Sequence, residues 1–163
     1  MFAALALFNT ALAAPAPAAN PIIEVHPGPF LPSLESLGWN STYINSLPDP
    51  VFHHAGKDEV SIAANPRCGD SYGPVSDAIV CYKFLNALGT YPCTVPPGQR
   101  SAVLAYSNLV RVVGYGIEQS SYCRDVALAV LYTIDHCTRP QQDVAGTAVA
   151  NGNGDYTIGV GNI

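Results

Sequence analysis

Five cysteines, Cys68, Cys81, Cys93, Cys123 and Cys137, carry the clearest chemistry in this chain, and the chemistry they suit is oxidation to disulfides. Cys123 and Cys137 stand fourteen residues apart at the two ends of one predicted helix. At about 1.5 Å per residue they are ~21 Å apart, too far to bond each other. Both helix-end cysteines are therefore expected to reach other elements, with Cys68, Cys81 and Cys93 as the candidate partners. One thiol among these three is then left over. Its first reading is a buried structural thiol; the alternatives are a homodimer bridged through it, or a sixth cysteine that this chain lacks.

Other groupings offer less. His136 beside Cys137 invites a cysteine nucleophile, but neighbours on a helix point about 100° apart and do not face each other. His53 and His54 with Asp58 and Glu59 supply metal donors, yet they sit in a proline-rich stretch with no helix to hold i, i+4 geometry. Gly152-Asn153-Gly154 and Gly159-Val160-Gly161 resemble pieces of phosphate loops, but their flanks read as strands, so they are taken as turn and edge glycines. No G-x-S-x-G elbow occurs, and nothing in the spacing of Glu118, Asp125, Asp135, Asp143 and Asp155 singles out a catalytic pair. No catalytic, cofactor-binding or metal-ligating residue is assigned, and the chain is read as neither an enzyme nor a cofactor protein. Most of the nine tyrosines are read as half-buried packing residues, with a binding surface as the alternative.

The elements that must place the cysteines follow from periodicity and punctuation. Residues 1–14 are apolar and uncharged and end in Ala11-Leu12-Ala13, the small-x-small pattern of a secretory signal peptide. Residues 15–57 hold so many prolines that they read as an extended arm. Within it Asn40-Ser41-Thr42 is a sequon whose Asn40 is the glycosylation candidate, placed in an exposed loop. The apolar residues of the arm, Phe30, Leu31, Leu34, Leu37, Trp39, Tyr43 and Ile44, either pin it to the domain or bind a partner.

Residues 58–163 read as one cysteine-stapled α+β domain. A short strand is expected at 60–62, followed by Cys68 in a loop. Ala78, Cys81, Tyr82, Leu85 and Leu88 mark a helix that closes at Gly89. Cys93 falls in a proline-rich turn. Residues 101–106 and 109–117 read as paired strands, with Val110, Val112 and Gly114 on one side and Arg111, Val113 and Tyr115 on the other. Ser120 or Ser121 is expected to cap a second helix striped by Cys123, Val126, Ala127, Val130, Ile134 and Cys137, and a hairpin turning at 151–154 follows. Strand, helix, two strands, helix, two strands predicts a two-layer sandwich, with an antiparallel sheet of about five strands and two helices on one face.

The chain's net charge is −5, concentrated ahead of the domain: residues 20–59 hold five acids and one base, whereas from Val60 onward seven acids meet six bases. Charged residues make up 12% of the chain, about half the usual ~25%. No cationic face for nucleic acid is expected, and no stretch is long and apolar enough to span a membrane. With the leader and the cysteines, this points to a secreted, extracellular protein.

The segment Ser121-Tyr122-Cys123-Arg124-Asp125-Val126-Ala127, its end Ile134-Asp135-His136-Cys137, and the hairpin Gly154-Asp155-Tyr156-Thr157-Ile158 resemble the carboxyl-terminal half of small secreted fungal proteins. These are the killer-toxin-like proteins, named for a virus-encoded smut toxin, and the related extracellular necrosis-inducing effectors. The resemblance implies an α/β sandwich, secretion, no enzymatic activity and action on competing microbes or a host plant. Killer-toxin members are basic and depend on exposed lysines, whereas this chain has only Lys57 and Lys83. The expected function is therefore a secreted effector or toxin-like protein acting on other cells. An extracellular or cell-wall binding protein is the alternative, and a small secreted hydrolase the third choice. The target, in host, microbe or cell wall, is not written in the sequence.

Overall fold

Alternation along residues 110–115 sets the architecture, because it gives the strand one face for a core and one for solvent. In the computed structural model, which describes residues 21–51 and 66–163, this strand lies inside a six-stranded antiparallel sheet with two helices on one face. The leader, residues 15–20, His53, His54, Asp58, Glu59 and the strand expected at 60–62 lie outside the described residues.

In chain order the strands are β1 (Val25–Pro27), β2 (Arg67–Pro74), β3 (Pro92–Thr94), β4 (Ser101–Ser107), β5 (Val110–Tyr115), β6 (Ser120–Tyr122), β7 (Asp143–Val149) and β8 (Thr157–Asn162). The helices are α1 (Ser41–Ser46), α2 (Val75–Ala87) and α3 (Cys123–Cys137). The large sheet runs β1-β4-β5-β8-β7-β2, and β3 and β6 form a separate two-stranded ladder. Cys68 and Cys93, expected in a loop and a turn, therefore stand in strands. Each strand is supplied by a distant partner, β7 for Cys68 and β6 for Cys93.

Helices α2 and α3 pack against each other and on the same side of the sheet. The layer between holds Phe84, Leu85, Val126, Val130 and Ile134 from the helices against Leu104, Val112 and Ile158 from the strands, all buried. The whole stripe predicted for α3 is buried, from Cys123 to Cys137. Its cap differs from expectation: Tyr122 holds the N-cap without a side-chain bond, because Ser120 and Ser121 are drawn into β6 against Thr94 and Cys93. Helix α2 closes as predicted, with Gly89 at φ +60°, the left-handed value that glycine adopts at no steric cost.

The arm is built into the sheet instead of merely lying on it. Strand β1 pairs with β4, with Val25 opposite Ser107 and Pro27 opposite Ala105. A short edge strand leaves backbone groups open, and α1 closes them with side chains. The Asn45 amide accepts from Ile23 N at 3.2 Å and donates to Ile23 O at 2.8 Å, while Ser41 Oγ accepts from Val25 N at 3.2 Å. Ile44 is fully buried, and Leu31, Leu34, Leu37 and Trp39 pack against the core. Lys83 of α2, itself buried, donates to Asn45 O at 3.1 Å and pairs with Asp49 at 2.8 Å.

Tyr156 is the largest fully buried side chain, and its hydroxyl has no hydrogen-bond partner among the described residues. The ring fills the space above Gly114, where an added Cβ would sit 2.3 Å from the Tyr156 oxygen. A buried hydroxyl without a partner carries a desolvation cost of about 1 to 3 kcal/mol. Tyr156→Phe is therefore expected to leave the urea midpoint unchanged or raise it. A loss of more than about 1 kcal/mol would reveal a partner for the oxygen.

Candidate functional site

Because both long helices lie on one side, the central strands keep an uncovered outer face. Strand pairing places Arg111, Val113 and Tyr115 of β5 on that face opposite Gly161, Gly159 and Thr157 of β8, with Thr147 of β7 and Arg67 of β2 beyond. The two sides of β5 thus divide as the sequence predicted. Gly159 and Gly161 do not: they belong to a central strand flanked on both sides, not to a turn or an edge.

The face forms a shallow groove of about 330 Å³. The two glycines shape it. The Tyr115 ring covers Gly159, where an added Cβ would stand 2.8 Å from Cε2, and the Ser71 carbonyl overhangs Gly161, whose Cβ would lie 2.7 Å from that oxygen. Strand β2 reaches over in this way because its pairing with β7 is interrupted between Cys68 and Gly73. The irregular segment is pinned at both ends. Cys68 is bonded to Cys137, and the Tyr72 ring lies 3.3 Å from the Arg139 guanidinium carbon.

Arg139 is itself fixed by Asp143 through two bonds, at 2.8 and 2.6 Å. The hydrogen bonds from Arg139 hold the Asp143 carboxyl below its ordinary 3.8. A carboxylate depressed in the folded state stabilises the fold above its unfolded pKa, and that contribution disappears as pH falls through the folded value. Asp143→Asn is therefore expected to lower the urea midpoint at pH 7, by a gap that narrows as pH falls through the folded value of the carboxyl. A gap that persists undiminished in acid would remove the ion pair as its cause.

Electrostatically, the groove brings three exposed charges onto one face. Arg67, Arg111 and Asp70 line it and are exposed. None of the three side chains has a hydrogen bond or ion pair among the described residues. Arg67 and Arg111 are three strand positions apart, about 14 Å at the usual spacing. Tyr115 remains 44% exposed, and Tyr106, 38% exposed, continues the face toward His26, on which it stacks at 4.8 Å. Tyr91 and Tyr122 are exposed as well, so the expectation of mostly half-buried tyrosines holds only for some. These groups can stack on a flat ring and hydrogen-bond hydroxyls or an anion; nothing in their arrangement activates a nucleophile.

A second hollow, of about 460 Å³, lies beside β6 and the 151–154 turn. Several of its polar groups are already used. Asn153 donates to Gln119 Oε1 and Ser120 O, and Ser121 donates to Asn151 O. The turn there is held by local bonds, which leaves fewer groups for a ligand.

The cysteines resolve into Cys68–Cys137 and Cys93–Cys123, with Cys81 free. Both ends of α3 are thereby tied to different strands, and the spare thiol is one of the first three, as elimination required. Cys81 is fully buried, and burial pushes its thiol up to about 12. That corrects the homodimer bridged through the odd cysteine: a thiol enclosed beneath Ser107 in the core reaches no partner chain. A nucleophile at Cys137 fails on the same grounds, since its sulfur is in a disulfide. His136 instead sits with Nδ1 2.9 Å from Tyr132 O and its ring 4.0 Å from the Tyr132 ring.

Asn40, the glycosylation candidate, is exposed and has extended backbone just ahead of α1, which it caps: its Oδ1 accepts from Tyr43 N at 2.8 Å. Asp77 and Lys83 are buried polar residues that sequence reasoning passed over. Asp77 accepts from Leu109 N at 2.9 Å and Ser107 Oγ at 3.1 Å, tying α2 to the β4–β5 turn. Neither carried a signal, because their partners are remote in sequence. Among the described residues no cluster of three or more metal-ligating side chains occurs, and no helix is long and apolar enough to cross a membrane.

A family model described as a domain of unknown function, DUF8794, matches residues 61–162. No curated protein and no solved structure matches the chain.

Proposed function

We propose, on the premise that the chain belongs to the DUF8794 family and that its stapled domain is the family's shared unit, that this is a secreted, non-enzymatic effector or killer-toxin-like protein that acts on other cells by surface recognition. The observation that carries this reading is the outer face of the sheet, where Arg67, Arg111 and Tyr115 stand exposed around a groove with no partner for either charge among the described residues. Two disulfides suit an oxidising compartment, and the apolar leader supplies the route to it. A mechanism built on exposed lysines has little to use here, because Lys83 is buried against the arm. Recognition then falls to arginine and tyrosine, the side chains that dominate binding energy at protein surfaces. Asn40 carries an N-linked glycan in this reading: its Oδ1 serves the cap while Nδ2 remains for the sugar.

Purified mature protein infiltrated into leaf tissue and added to competing fungi tests the proposal. Cell death or growth arrest is expected from the parent protein and not from a Tyr115→Ala/Arg111→Gln variant of equal stability. Inertness of the parent in both assays would sink the reading. The second reading, an extracellular or cell-wall-associated binding protein, is favoured by the same exposed tyrosine and weakly charged surface. Retention on chitin or β-glucan checks it.

A further inference from the structure

The geometry points to a carboxylate-bearing polysaccharide, a polyuronate, as the occupant of the outer-face groove. This rests on the reading of that face as the recognition surface, and it names the chemistry recognised. The two arginines rise from strands three positions apart in the sheet. Arg111 on β5 and Arg67 on β2 are separated by β8 and β7, about 14 Å at the usual strand spacing. An extended chain carrying one anion per ring can meet both side chains with charge-assisted bonds.

Between the arginines lie Gly159 and Gly161, whose missing side chains let the Tyr115 ring and the Ser71 carbonyl settle against the sheet, and Tyr115, still 44% exposed, offers a stacking surface. Ser71, Thr147 and Asn162 add neutral hydrogen-bonding groups along the groove, the partners that sugar hydroxyls require. Asp70 stands in the same groove. It accepts hydrogen bonds from hydroxyls and repels a dense polyanion. The net charge of −5 acts in the same direction, disfavouring nucleic acid. A hydroxyl-rich polymer with one carboxylate per ring, less densely charged than duplex nucleic acid, satisfies all of these groups together.

Affinity electrophoresis of the full secreted protein through gels containing polygalacturonate, its methyl ester or neutral β-glucan provides the test. The parent protein is expected to be retarded by polygalacturonate, less so at high salt and not by the ester. Arg67→Gln/Arg111→Gln is expected to weaken that retardation about tenfold while melting at the parent temperature, since two exposed charge-assisted contacts are lost. Equal retardation by acid and ester, an unchanged double variant, or no retardation by polygalacturonate would each overturn the polyuronate. Retention on β-glucan that requires Tyr115 but neither arginine would overturn it while keeping the face as the recognition surface. Cell-directed activity undiminished in both the Tyr115→Ala and the double-arginine variants would overturn the face itself.

Discussion

Cys68→Ser/Cys137→Ser is expected to lower unfolding stability by about 4 kcal/mol. The bond closes a 69-residue separation, and the chain entropy it removes from the unfolded state grows with loop length. Cys93→Ser/Cys123→Ser, across 30 residues, is expected to cost somewhat less, about 3.5 kcal/mol by the same relation. Either loss is a large fraction of the ~5–15 kcal/mol that a domain possesses.

Urea denaturation checks both, and the slope should rise along with the fall in midpoint, because an uncrosslinked chain unfolds to a more exposed state. An unchanged midpoint would show that the bond contributes little beyond packing. The longer bond has a second consequence. It holds β2 where its irregular segment overhangs Gly161, so the double-serine variant should also lose groove-dependent binding under conditions where it remains folded. Cys81 should stay silent throughout. A thiol reagent is expected to label the native protein at no position and the denatured, unreduced protein only at Cys81, because the thiolate of a buried thiol is suppressed.

Ile44→Ala is expected to cost about 2 to 5 kcal/mol and to lower the melting temperature by about 5 to 15 °C. Ile44 is 0% exposed although it lies in the proline-rich arm. Its methyl groups help to hold α1, and α1 in turn holds β1 through the Asn45 and Ser41 bonds to the edge backbone. A cavity there should loosen the sheet edge and the Lys83 contacts together. One cooperative transition displaced downward is the expected calorimetric result. An unshifted main transition preceded by a small separate one would show that the arm folds independently of the domain.

How much of this was legible in the chain differs from element to element. Helix α3 and the alternating β5 were readable because their periodicity depends on local geometry, 3.6 residues per turn or two per pleat, and the apolar stripe follows it directly. Strand β2 was missed. Arg67–Pro74 is exposed along most of its length and has no alternation to read, and it is a strand only because β7 pairs with it. Strands β1, β3 and β6 have three residues each, too few to show a period before a partner is present. The serines expected to cap α3 were claimed by β6 for the same reason.

Local periodicity and cysteine spacing alone determined the class: an α+β order of elements, both α3-end cysteines bonded elsewhere, and one thiol left over. Those inferences need only chain geometry and counting. Tertiary structure decided which thiol was spare, that the arm completes the sheet, and that two arginines and a tyrosine share one open groove. Such facts depend on pairings across tens of residues, where register and burial are fixed by the summed packing of the whole core and by no local preference.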